Sequence, residues 1–102
     1  MEKLHFFYKL IPPRPNFHLD MSEKEKSVWK LHADYWKKLV EKGTAIIYGP
    51  VFDPKYVYGM AIVETTSEDE AKEIVSNDPA ISSGIGTFEL NSMFVGMIRL
   101  NR

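Results

Sequence analysis

Tyr56-Val57-Tyr58-Gly59-Met60-Ala61-Ile62-Val63-Glu64 is the stretch that decides the fold. Tyr58, Met60 and Ile62 alternate with Val57, Gly59, Ala61 and Val63, so an extended chain here carries apolar groups on both faces. Such a strand needs cover on both sides. Ahead of it Asp53-Pro54-Lys55 is turn chemistry, and Thr44 to Phe52 reads as a preceding strand interrupted at Gly49-Pro50, so the two form a hairpin.

After the hairpin, Ser67 with Glu70 is a capping-box pattern, and Ala71, Ile74 and Val75 give the stripe of a short helix ending near Ser76. Asn77-Asp78-Pro79 stops it, because a residue before proline is pushed out of the α region. A small-residue segment, Ala80 to Gly86, leads to a last strand from about Thr87 to Ile98, with Phe88, Leu90, Phe94 and Ile98 on one face. Before the hairpin, Ser22 with Glu25 and the stop at Gly43 bound a long helix, Ser22 to Lys42. At about 100° per residue its apolar side holds Val28, Leu31, His32, Tyr35, Trp36 and Leu39, widened by Trp29, Ala33 and Val40. Leu4 to Ile11 alternates as a first strand, and Pro12, Pro13 and Pro15 end it in a loop that runs to about Met21 and carries Arg14, Phe17 and His18.

The order strand, helix, strand, strand, helix, strand is the ferredoxin-like βαββαβ arrangement, an α+β fold with a four-stranded antiparallel sheet and both helices on one face. The opposite face is apolar in several strands, and burying it against a copy of itself predicts a homodimer. No repeat or linker divides residues 1–102, which read as one domain.

Composition narrows the functional classes. Thirteen Lys and Arg against fourteen Asp and Glu give a formal charge of −1, with no electrostatic footprint for nucleic acid or an acidic membrane. The absence of Cys removes thiolate nucleophiles, disulfides and Cys-rich zinc sites. No apolar run approaches the roughly 20 residues that span a bilayer, and the start of the chain lacks a signal-peptide layout, so the expected location is cytoplasmic. His5, His18 and His32 have no metal-binding spacing, and Gly84-Ile85-Gly86 precedes a strand rather than a helix, so neither a metal nor a dinucleotide cofactor is expected.

His32 is the most informative residue. It lies near the middle of an apolar helical arc, where imidazole is a candidate general acid or base. A core histidine with one satisfied hydrogen bond is the other reading of the same position. Asp78 is either a turn carboxylate bonded to nearby backbone N–H groups or the partner that fixes the His32 tautomer, as an orienting acid does in a triad. No hydroxyl or thiol nucleophile stands out beside them, which favours proton transfer over acyl transfer. Phe17 is a candidate apolar wall for a substrate, and Trp36 is either such a wall or, by its place on the arc, a core residue. Gly49 and Pro50 imply a bulge or a close backbone approach, which either a pocket wall or a sheet-edge irregularity without function explains. Arg14 is either a clamp for a substrate carboxylate or a solvated surface charge.

Three features together resemble the YCII-related (YciI-like) family: His32 within Lys30-Leu31-His32-Ala33-Asp34-Tyr35-Trp36, the Tyr48-Gly49-Pro50 step, and the run from Asn77 to Ile85. Pro12-Pro13-Arg14-Pro15-Asn16-Phe17 resembles a longer-loop branch of it. The resemblance implies a dimeric α+β barrel, related in architecture to muconolactone isomerases, and an active site in which His32 and Asp78 face a pocket. The expectation is therefore a small cofactor-independent enzyme of isomerase or lyase type, moving a proton on a small carboxylated, cyclic or aromatic molecule. The competing expectation is a non-catalytic dimer that binds a small ligand, or a structural module, with His32 and Asp78 as a buried pair.

Overall fold

β1 (Leu4–Ile11) is the strand around which the sheet assembles, with β3 (Val57–Thr65) on one side and β4 (Thr87–Met93) on the other, both antiparallel. β2 (Ala45–Phe52) pairs outside β3, giving the order β2-β3-β1-β4, the ferredoxin-like topology. The computed structural model describes residues 2–99. Two longer helices, α2 (Glu23–Glu41) and α3 (Glu68–Ser76), pack on one face. Two one-turn helices stand where the sequence reads as loop: α1 (Phe17–Asp20) and α4 (Pro79–Ser82).

Alternation sorts the strand residues as expected. Phe6, Tyr8 and Leu10 of β1 lie opposite Val63, Ala61 and Gly59 and turn to the helices, where Trp36, Leu39, Ala71 and Val75 complete the core. Phe7, opposite Ile62, and Lys9, opposite Met60, point to the other face, which no helix among the described residues covers. Helix α2 begins with a complete capping box, Ser22 Oγ accepting from the Glu25 N–H and the Glu25 carboxylate from the Ser22 N–H. Its apolar side differs from the expected arc at Leu31, which is 58% exposed, while the neighbouring Trp36 is buried.

Two boundaries need correction. β2 runs unbroken through Gly49 and Pro50, and its register shift lies earlier, between Ala45 and Ile47. As an edge strand it tolerates a proline, whose missing N–H costs the ladder little there. β4 stops at Met93 rather than Ile98, because Met93 pairs with His5, next to the start of β1, and the ladder then runs out of partner. Phe94 and Met97 beyond it are 90% and 92% exposed.

Candidate active site

The site is built around Asp78. Helix α3 ends at Ser76, and Pro79 holds Asp78 in an extended conformation as the N-cap of α4, so its carboxylate turns inward rather than to solvent. The residue is fully buried. A buried carboxylate survives only with donors, and here they converge from three elements. Tyr8 of β1 donates its hydroxyl to Oδ2 at 2.8 Å and Trp36 of α2 its indole N–H to Oδ2 at 2.7 Å, while the Ala80 backbone N–H reaches Oδ1 at 2.9 Å. His32 Nδ1 lies 2.9 Å from both oxygens.

These contacts orient the imidazole. Burial works against the Asp78 charge, but the hydrogen bonds and charge of His32, with Trp36 and the Ala80 N–H, outweigh it and hold the carboxyl below its usual range. Burial, reinforced by the Asp78 charge, pushes the Tyr8 phenol far above its ordinary range, so its hydroxyl remains a donor. An ionised carboxylate only accepts, so His32 presents Nδ1–H to it, and in the neutral ring the lone pair is on Nε2. Among the described residues no hydrogen-bond partner reaches Nε2.

His32 also lines a cavity of about 250 Å³ between α2 and the sheet. Trp29 and Ala33 join it from α2, and Leu10, Pro50, Val57 and Gly59 form the sheet side. Pro12, Phe17, His18 and Met21 close it from the proline-rich segment. Phe17 is buried and meets Trp29 edge to face, ring centroids 4.5 Å apart, and Trp29 in turn lies 5.5 Å from the His32 ring. The wall is thus largely aromatic and aliphatic, with the imidazoles of His18 and His32 and the hydroxyl-bearing Tyr8, Tyr48 and Tyr58 as its polar side chains.

The structure brings together His32, Asp78, Phe17, Gly49 and Pro50 of the expected site residues, and separates two others. Trp36 is no wall: it is buried beneath the cavity, stacked on Tyr8 at 5.1 Å, and its polar edge serves Asp78. Arg14 does not line the cavity. Its guanidinium bonds Glu25 twice, at 2.7 and 3.0 Å, and the Asp20 carboxylate and carbonyl at 2.8 and 3.0 Å. Those bonds hold the Arg14 charge more firmly than usual and draw the Glu25 carboxyl down to about 2. Among the described residues no group of three or more His, Cys, Asp or Glu side chains is placed to hold a metal ion, and no helix is long and apolar enough to cross a membrane.

A family model described as the YCII-related domain matches residues 6–91, a span that includes His32 and Asp78 and reaches into every strand of the sheet. The chain belongs to the YCII-related family. No curated protein matches the sequence significantly. Among solved structures, the chain is similar to 5-chloro-2-hydroxyhydroquinone dehydrochlorinase (TftG) from Burkholderia phenoliruptrix AC1100, in complex with 2,5-dihydroxybenzoquinone. That similarity has a TM-score of 0.65 at 20% identity and covers 89% of this chain and 95% of the other. It places this YCII-related chain in the same α+β fold.

Sequence reasoning missed Tyr8 as part of the site. Its signal was present: a tyrosine on the helix-facing side of β1, between Phe6 and Leu10, must find a partner for a buried hydroxyl. In the sequence Trp29 reads only as widening the apolar arc of the helix, although it sits one turn before His32 on the same helical side.

Proposed function

We propose that this YCII-related protein is an enzyme that moves a proton on a small molecule, with His32 Nε2 as the base and Asp78 fixing the tautomer. One observation carries the reading. His32 is held by Nδ1 against a fully buried carboxylate while its ring lines an open cavity, the arrangement that leaves a lone pair facing a substrate. Nε2 takes a proton from carbon or oxygen, and the electron pair left behind either expels a leaving group, an elimination, or is reprotonated elsewhere by the same imidazole, an isomerisation. The resulting imidazolium is stabilised by Asp78. That the structurally similar TftG is named a dehydrochlorinase supports the elimination branch. The uncovered sheet face supports a homodimer as the working form.

The test is turnover of His32→Ala on candidate substrates. A general base contributes about 10²- to 10⁴-fold, so kcat/KM is expected to fall by that much while the protein stays folded, since three donors to Asp78 remain. Unchanged turnover with a large loss of stability would make the pair a structural element and the protein a non-catalytic binder.

A further inference from the structure

Two imidazoles line the cavity, and the proton-transfer reading uses one of them. His32 stands on α2, and His18 on α1, the one-turn helix of the proline-rich segment. An aromatic wall runs between them. Phe17, the residue before His18, meets Trp29 edge to face, and Trp29 lies 5.5 Å from the His32 ring. A molecule lying against Trp29 therefore has an imidazole towards either end. The turn that carries His18 is fastened in place: Phe17 is buried, and the Arg14 guanidinium ties Asp20 to Glu25 of α2. His18 itself is exposed at the cavity mouth. Among the described residues no hydrogen bond engages its ring, so both of its nitrogens are open to what enters the cavity.

We propose that His18 is the acid of the site, giving a proton to the departing group while His32 takes one from another atom of the substrate. This deepens the proton-transfer reading and rests on it. The need arises at His32: with Nδ1 held by Asp78 it has one free nitrogen, and a nitrogen receiving a proton cannot at the same moment deliver one to the leaving group. In an elimination the C–H pair becomes the new π bond, and the bond to the leaving atom breaks with its pair. That atom then takes the proton from His18. His32 ends with one proton more and His18 with one fewer, and solvent at the exposed mouth returns the proton from one to the other. Of the other titratable groups facing the cavity, Tyr48 and Tyr58 come from the sheet, and Tyr8 donates to Asp78. Around α1, Arg14, Asp20 and Glu25 are bonded to one another. Imidazole is the side chain that both gains and loses a proton near neutrality, which the return step requires.

The experiment follows the whole chain acting on two probes of base-catalysed elimination, benzisoxazole and 5-nitrobenzisoxazole. In both, a base removes the ring C–H proton beside nitrogen, the N–O bond breaks and a phenolate departs. The nitro-substituted phenolate leaves readily without a proton, whereas the unsubstituted one is helped by an acid. General acid–base help is typically 10²- to 10⁴-fold, so His18→Gln is expected to lower kcat/KM by about 10²-fold on benzisoxazole and by less than about threefold on the nitro probe. Glutamine keeps a hydrogen-bond donor but does not titrate, and at an exposed position it should leave the melting temperature unchanged. The wild-type pH profile on benzisoxazole is expected to be a bell, and His18→Gln to lose its descending limb. Equal losses on the two probes overturn the proposal, as does a descending limb that persists or a wild-type rate no faster than that of free imidazole. His32→Ala on the nitro probe separates the two readings: a large loss there, with His18→Gln like the wild type on both probes, strikes the acid and leaves the base standing.

Discussion

Replacing Asp78 by alanine leaves Tyr8, Trp36 and the Ala80 N–H with donors and no acceptor in a dry interior. Leaving a buried donor unsatisfied costs about 1–3 kcal/mol, so losing the acceptor shared by three of them costs on the order of 3–5 kcal/mol. Urea denaturation of Asp78→Ala is expected to show a loss of that size, and a shift within about 0.5 kcal/mol, typical of surface sites, would contradict the network. Acid should act on the same group. Asp78 and Glu25 both have carboxyls lowered in the folded state, so each stabilises the fold above its unfolded pKa and loses that contribution as pH falls through the folded value. For Glu25 the window runs from about 4.5 down to about 2. The urea midpoint is expected to decline across that range, less steeply in Glu25→Gln, and a flat acid profile would remove the argument. At this scale the sequence revealed His32 and Asp78 but not their supports. Helical periodicity says that Trp36 is inside; it does not say which way an indole N–H points. The exclusion of Arg14 from the cavity was equally hidden, because its acidic partners Asp20 and Glu25 come together only when α1 folds back on the start of α2.

Elements were more legible than side chains, because capping and periodicity are local. Both capping-box patterns mark true helix starts, at Ser22 and Ser67. What failed depended on neighbours: β4 ends where β1 ceases to offer a partner, and β2 tolerates Pro50 because it is an edge. One-turn helices such as α4 leave little trace in periodicity. The join between α4 and β4 gives a sharp test at Gly86, where an added Cβ would lie 2.8 Å from Leu10 Cδ1 and 3.3 Å from the Ile11 carbonyl oxygen. Gly86→Ala is expected to destabilise by about 1–3 kcal/mol through overpacking. Gly49→Ala, where nothing lies within 4 Å, serves as the control and should change the melting temperature little. Equal effects would contradict the packing described at the foot of β1.

At the scale of the whole molecule, the sheet has one face on its helices and one that, among the described residues, no helix covers. Phe7 and Ile62 are cross-strand neighbours on the second face, with Met60 and Lys9 the next pair along it. The proposed homodimer buries them. Sedimentation of the wild-type chain is expected to give twice the mass of one chain, and Phe7→Lys, which places a charge at the centre of that face, should halve it. A wild-type monomer at high concentration would retract the dimer. The four-stranded topology was readable from element order alone, whereas the partner of its bare face is not written in any local pattern.

Asp78 receives hydrogen bonds from the sheet through Tyr8, from the long helix through His32 and Trp36, and from the backbone of α4. Neither β1, the long helix nor α4 can peel away without breaking one of them. The Trp36 indole proton sits at that junction, out of reach of solvent. Its exchange with deuterium therefore requires the long helix to part from β1 and α4 rather than local fraying, which makes one resolved signal a clock for opening of the core and ties the orientation of His32 to the cooperativity of the fold.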